Sequence, residues 1–261
     1  MKLQNNKMRL IAAIVAAVGV VSLASTAAAA GVAWTYTGST GPSHWNHLDP
    51  VNYAVCADGT AQSPINVRNP IEKALTNLKF NYGTSEAGIF NNGHTVEAEP
   101  LGSPTETLTI GKTVYPFLQF HFHAPSEHEL NGLHFPLEIH FVHKTEDNKI
   151  AVVGVFVKAG KTNKDWSPFT AKITSATDVA EDTAVELDWA KLLPKNPQTI
   201  RYDGSLTTPG CTEGVKWNLF THPITMSRAQ ISKFLEAYSG NNRPVQPLHG
   251  RKILIDSTIS K

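Results

Sequence analysis

The segment Phe117-Leu-Gln-Phe-His-Phe-His-Ala-Pro-Ser-Glu-His128, continued by Leu137-Glu-Ile-His-Phe-Val-His143, decides how this chain folds and where its chemistry lies. Both halves alternate in character at period two, the pattern of a β-strand with two distinct faces. In the first, Gln119, His121 and His123 share one face, and Phe120 and Phe122 take the other. In the second, Glu138 and His140 share a face, with Leu137, Ile139 and Phe141 opposite. Same-face neighbours on a strand lie roughly 6.6 Å apart, so two imidazoles can lean onto one small cation. His140, from an adjacent strand, would supply the third. Three protein ligands leave one tetrahedral position open, as in catalytic zinc sites; structural zinc sites are closed, usually by cysteine. This chain has two cysteines, too few for the closed kind. A ligating histidine also needs its second ring nitrogen held by a carboxylate, amide or carbonyl. Gln119 and Glu138, each two residues before a histidine and on its face, are placed for that task. A single His-Phe-His could be an ordinary half-exposed strand. Three same-face histidines with two same-face polar supports outweigh that reading.

Outward from this core, the composition is that of a globular chain: 261 residues, 41% hydrophobic and 17% charged, enough for one large domain or two small ones. Residues 1–30 stand apart. Lys2, Lys7 and Arg9 form a basic start, Leu10 to Ala24 an apolar run, and Ala27 to Ala30 a small-residue cleavage site. That is the pattern of a secretory signal peptide of bacterial style, and the periplasm or the exterior is the expected location. The apolar run falls short of the roughly 20 residues of a membrane span. Removing it takes the formal charge from +1 to −2, with no basic patch or charge run to suggest nucleic acid or a membrane surface.

No repeat or linker divides residues 31–261. Short β-rich runs recur at Leu78–Tyr82, Thr95–Glu99, Thr105–Ile110, Val114–His123, Leu137–His143 and Ile150–Lys158. One helix is clear: Ser227 and Gln230 form a capping box, and Met226 with Ile231 a hydrophobic staple. Ile231, Phe234, Leu235 and Tyr238 then follow helical spacing up to a stop at Gly240. A β-dominated single domain with peripheral helices is expected. The two cysteines, Cys56 and Cys211, both lie in the exported part; an oxidising compartment favours one disulfide over two free thiols.

The run FLQFHFHAPSEHELNGLHFPLEIHFVH resembles the zinc-binding core of the α-class carbonic anhydrases. GPSHW (Gly41 to Trp45), QSPIN (Gln62 to Asn66), NNGH (Asn91 to His94), GSLTTPG (Gly204 to Gly210) and NNRPVQPL (Asn241 to Leu248) match the same family in its order, so the resemblance spans nearly everything from Trp34 onward. It implies a mainly β (α+β) single domain over residues 31–261, with a large twisted, mostly antiparallel central sheet, short peripheral helices, and zinc at the bottom of a conical cleft. It further implies reversible hydration of carbon dioxide to bicarbonate and a proton, by attack of zinc hydroxide. His121, His123 and His140 match the metal ligands. Thr207 matches the hydroxyl that orients the nucleophile, Glu127 its carboxylate partner, and Thr208 a contact to substrate or product. His94 matches the proton shuttle, although Asn91-Asn92-Gly93-His94 alone reads as a polar turn. Val142, Val152, Leu206, Val215 and Trp217 match a small apolar pocket suited to an uncharged gas. Asn241 would support His123 through its backbone carbonyl. His128 would be structural, hydrogen-bonded near Tyr202 and Ser63. Trp34 and Tyr36 match an aromatic pair near the cleft. Bacterial relatives often bridge cysteines at places matching Cys56 and Cys211, and often form homodimers.

By its position on the opposite strand face, His143 should be structural. His44, His47, His134, His222 and His249 carry no signal beyond a surface position. Two other functions are compatible with the same residues. A catalytically silent, zinc-holding relative would typically lack one metal histidine, whereas this chain keeps all three. A zinc hydrolase of small esters would need a site to grip a larger acyl group, and no segment looks built for one.

Overall fold

The computed structural model describes residues 32–102, 105–174 and 184–258. The expected signal peptide lies outside them. Among the described residues the chain forms β1 (Asn66–Val67), β2 (Ile71–Lys73), β3 (Lys79–Asn81), β4 (Thr84–Asn91), β5 (Val96–Pro100), β6 (Thr107–Ile110), β7 (Thr113–His123) and β8 (Glu129–Leu130). It continues with β9 (Leu137–Lys144), β10 (Ile150–Ala159), β11 (Val185–Asp188), β12 (Thr199–Ser205), β13 (Glu213–Phe220), β14 (Ile224–Met226) and β15 (Leu254–Asp256). The α-helices are short: α1 (Trp45–Leu48), α2 (Val55–Asp58), α3 (Ser167–Thr170) and α4 (Arg228–Ala237).

One 13-stranded sheet dominates, in the order β11-β4-β5-β7-β9-β10-β13-β12-β15-β2, with β14 beside β10 and the β3–β6 pair beside β7. Its pairs are antiparallel except β10 with β13, β10 with β14, and β15 with β2. The expected runs reappear as strands with ends moved by a residue or two. The long β7 and β9 occupy its centre, where both neighbours satisfy their backbone groups.

The face of β7 and β9 turned away from the histidines carries the larger core. Phe120, Phe122, Phe141, Trp166, Phe169, Trp189 and Phe234 are buried there together. α4 covers this side, capped as expected: Gln230 N donates to Ser227 Oγ at 3.2 Å, and Ser227 N to Gln230 Oε1 at 3.1 Å. The helix ends at Ala237, so Tyr238 is its C-cap and not its last turn.

One departure from strict alternation matters. Phe117 has the parity of Gln119 and His121, which would turn it to the histidine face. The register instead shifts between Phe117 and Gln119. The extra residue, Leu118, leaves the ladder and is half exposed, and a bulge of this kind re-aims the side chains before it. Phe117 consequently joins the aromatic core, its ring 5.1 Å from that of Trp189.

Candidate metal centre

Beyond the bulge, β7 and β9 place the three histidines together. His121 stands directly opposite His140, and His123 opposite Glu138. The ring centroids are 5.1 Å apart for His121 and His123, 5.3 Å for His121 and His140, and 4.6 Å for His123 and His140. One nitrogen of each lies within 4.8 Å of the others'.

Hydrogen-bond chemistry settles which nitrogen each ring presents. Glu97 on β5 has a carboxylate, an acceptor when ionised, so the 3.0 Å contact with Gln119 turns the Gln119 amide nitrogen toward it. The Gln119 carbonyl oxygen then faces His121 Nδ1, which donates to it at 2.8 Å, leaving Nε2 free. His123 Nδ1 donates to the backbone carbonyl of Asn241 at 2.6 Å, again leaving Nε2. His140 is reversed: its Nε2 donates to Glu138 Oε1 at 2.9 Å, and Nδ1 is free. Burial holds His121 well below the usual imidazole pKa, with His123 and His140 beside it adding to the effect. Burial also lowers His123, although Glu127 pulls the other way. Both are therefore neutral at neutral pH, the form that binds metal.

His123 Nε2 is buried and has no hydrogen-bond partner among the described residues. Leaving such a group unsatisfied costs on the order of 1–3 kcal/mol. A divalent cation that favours imidazole fits this donor set, since it would satisfy the orphan and use the other two free nitrogens. His128, Glu138 and His140 also cluster, but the imidazole nitrogens facing Glu138 already donate to it. Glu138 accepts from His140 Nε2, from His128 Nδ1 at 2.7 Å and from His128 N at 2.8 Å. Gly154 leaves room for this carboxylate: a Cβ there would come within 3.1 Å of Glu138 Oε1 and 2.5 Å of Leu219.

His128 extends the network as expected. Its Nε2 accepts from the Tyr202 hydroxyl at 2.6 Å, which accepts from Ser63 Oγ at 2.8 Å. Ser205 closes the chain, its backbone N donating to Ser63 Oγ and its hydroxyl to the Leu206 carbonyl. The loop bearing Thr207 is thus tied to the carboxylate that orients His140.

The cleft encloses about 290 Å³ and is lined by His94, Val142, Val152, Leu206, Thr207, Thr208 and Trp217 beside the three histidines, with Trp34 and Tyr36 at its wall. Val215 is buried with Val152 and Trp217 in one apolar cluster beside the cleft. His94 follows the turn between β4 and β5, where Asn92 Oδ1 accepts from its backbone N. Its ring stacks on Trp34 at 3.7 Å, 8° from parallel. Glu127 Oε1 accepts from Arg243 N at 2.8 Å, whereas its Oε2 is buried without a hydrogen-bond partner among the described residues. The Cys56–Cys211 disulfide is present, joining α2 to the end of the Thr207 loop. His143 is structural, held by Tyr82 and the Ala151 carbonyl; His44, His47, His134, His222 and His249 are exposed.

Two contributors escaped the sequence reading. Glu97 was one polar residue in an expected strand. Arg243 sat inside NNRPVQPL without a role, yet it is buried and binds Gln62 Oε1, Ser63 O and Cys56 O while stacking over Trp45.

Fold and site together define a β-sheet protein with a three-imidazole candidate metal centre in a half-open cleft. Residues 40–257 match the family model described as eukaryotic-type carbonic anhydrase, and the chain belongs to that family, the α-class carbonic anhydrases. A carbonic anhydrase of Pectobacterium carotovorum is 39% identical over 224 residues, covering 85% of this chain and 91% of the relative. The solved α-carbonic anhydrase of Thermovibrio ammonificans, in complex with the inhibitor sulfanilamide, is 40% identical with a TM-score of 0.81, covering 86% of this chain and all of that one. The Photobacterium profundum α-carbonic anhydrase is 39% identical with a TM-score of 0.77, covering 85% and 100%. The chain is accordingly an enzyme, a carbonate dehydratase. No helix among the described residues is long and apolar enough to cross a membrane.

Proposed function

We propose that the enzyme interconverts carbon dioxide and bicarbonate with a zinc ion held by His121 Nε2, His123 Nε2 and His140 Nδ1. The observation that carries this reading is the buried, unpartnered Nε2 of His123, converging with two other free imidazole nitrogens. Zinc, when bound, supplies a water acidified enough to act as a nucleophile at neutral pH, an effect for which carbonic anhydrases are the standard example.

The chain's own residues do the rest. Thr207 accepts a hydrogen bond from the reacting water, so its single hydroxyl proton must go elsewhere. The unpartnered Oε2 of Glu127 is an acceptor for it, and the pair would aim an oxygen lone pair into the cleft. Val142, Val152, Leu206 and Trp217 offer an uncharged gas an apolar wall, and Thr208 contacts substrate or product. His94 takes the released proton to solvent; burial lowers its pKa below the ordinary imidazole value, which favours passing that proton on. Export with loss of residues 1–30 completes the proposal. The disulfide supports it, because such bonds persist in oxidising compartments.

The test is stopped-flow hydration of carbon dioxide by the purified protein lacking residues 1–30, beside His121→Ala, with zinc content determined on both. Fast hydration with stoichiometric zinc, both lost in the variant, is expected. Stoichiometric zinc without hydration would overturn the reading in favour of a zinc-holding module.

A further inference from the structure

Among the described residues that line the cleft, Glu97 is the one carboxylate, and none is lysine or arginine. It stands directly opposite His121 across β5 and β7. Through Gln119 it is also wired to that ring: Glu97 Oε2 accepts from Gln119 Nε2 at 3.0 Å, and Gln119 Oε1 accepts from His121 Nδ1 at 2.8 Å. We propose that Glu97 is a positioning and specificity residue that weakens the binding of small anions at the centre, and thereby favours release of the anionic product.

Two routes give the same sign. The first is direct. A fixed negative charge on the wall of a narrow, partly desolvated cleft repels an incoming anion, whereas carbon dioxide, being neutral, feels no such force. The second runs through the hydrogen bonds. A carboxylate that accepts from Gln119 polarises the amide, strengthens its hold on His121 Nδ1–H, and raises the basicity of Nε2. A more electron-rich ligand leaves the centre less attractive to anions. Glu99 is the natural comparison, being two residues along the same face of β5 but not part of the cleft wall.

The inference rests on the proposed metal site, and the experiment separates the two. Cobalt(II) replaces zinc in wild type, Glu97→Gln and Glu99→Gln, and the visible absorption of each is titrated with thiocyanate in mildly alkaline buffer. Glu97→Gln keeps a hydrogen-bond acceptor for Gln119 but removes the charge. Its thiocyanate dissociation constant should fall about fivefold relative to wild type, the size expected for one screened charge across a cleft. The difference should shrink as salt rises, which loss of a merely structural contact would not produce. Glu99→Gln should bind as wild type does. Unchanged affinity in Glu97→Gln with an intact cobalt spectrum, or equal tightening in Glu99→Gln, would overturn the assignment to Glu97 alone. Failure of the wild type to take up cobalt would overturn the metal reading, and this inference with it.

Discussion

His123 and Asn241 meet through the backbone: the imidazole Nδ1 donates to the Asn241 carbonyl at 2.6 Å, across 118 residues of sequence. The Asn241 side chain spends itself on three other backbone groups, accepting from Ala124 N and donating to the carbonyls of Phe122 and His94. One asparagine therefore holds a candidate ligand and the turn that carries the candidate shuttle. Asn241→Ala keeps the carbonyl but orphans the buried groups. It should destabilise the fold by about 1–3 kcal/mol in denaturant titrations, while retaining more metal than His123→Ala.

Glu138 is the acceptor for both His128 and His140. Its burial favours the neutral acid, but His128 and His140 beside it overcome that and hold its pKa well below the usual carboxylate range. Glu138→Gln presents at most one oxygen to these donors. Zinc affinity, measured by competition with a chelator, should fall by roughly 10–100-fold, as for other supports of metal-bound histidine. An unchanged affinity would mean that His140 orients itself.

The disulfide closes a loop of 155 residues, for which chain entropy gives an upper figure of about 5 kcal/mol. It also anchors Cys211 next to the loop of Thr207 and Thr208, whose carbonyl accepts from Cys211 N. Cys56→Ser should lower the unfolding midpoint sharply and reduce hydration under conditions where the fold persists. Reductant should reproduce both effects in the wild type and leave the variant unaffected.

His143 is buried as the neutral ring, with its pKa pushed down to about 3 by desolvation, against hydrogen bonds that raise it. Its unfolded value is near 6.5. The unfolded chain therefore binds the proton first, so His143 contributes stability that is complete above about pH 6.5 and is lost as pH falls toward 3. In that window wild-type unfolding free energy should decline more steeply than that of His143→Leu, by up to about 1.4 kcal/mol per pH unit. Parallel curves would show that His143 does not titrate on unfolding.

His94→Ala should leave zinc content intact and slow hydration in weakly buffered solution by about a hundredfold, the low end of the range for loss of a proton-transfer group. Added imidazole should restore part of the rate. A variant as fast as wild type would assign proton export to another path.

Much of this is legible in the sequence. Alternation at period two put His121 and His123 on one face and His143 opposite His140, because an unbroken strand turns successive side chains to opposite faces. The capping box at Ser227 marked a helix start through local hydrogen bonds alone, and two cysteines leave one possible intrachain bridge. What alternation could not supply was the register between strands. The Leu118 bulge, which sends Phe117 into the core, depends on how β7 meets β9. So does the direct opposition of His121 and His140.

The sequence by itself determined the family, the β-dominated fold and the identity of the three imidazoles, since residue type and local spacing carry those. Only the tertiary structure decided which nitrogen each imidazole offers. That choice is made by acceptors brought from elsewhere in the chain: Glu97 acting through Gln119, the Asn241 carbonyl, and Glu138 shared with His128. A hydrogen bond closes over about 3 Å, and only folding brings partners from distant segments within that reach.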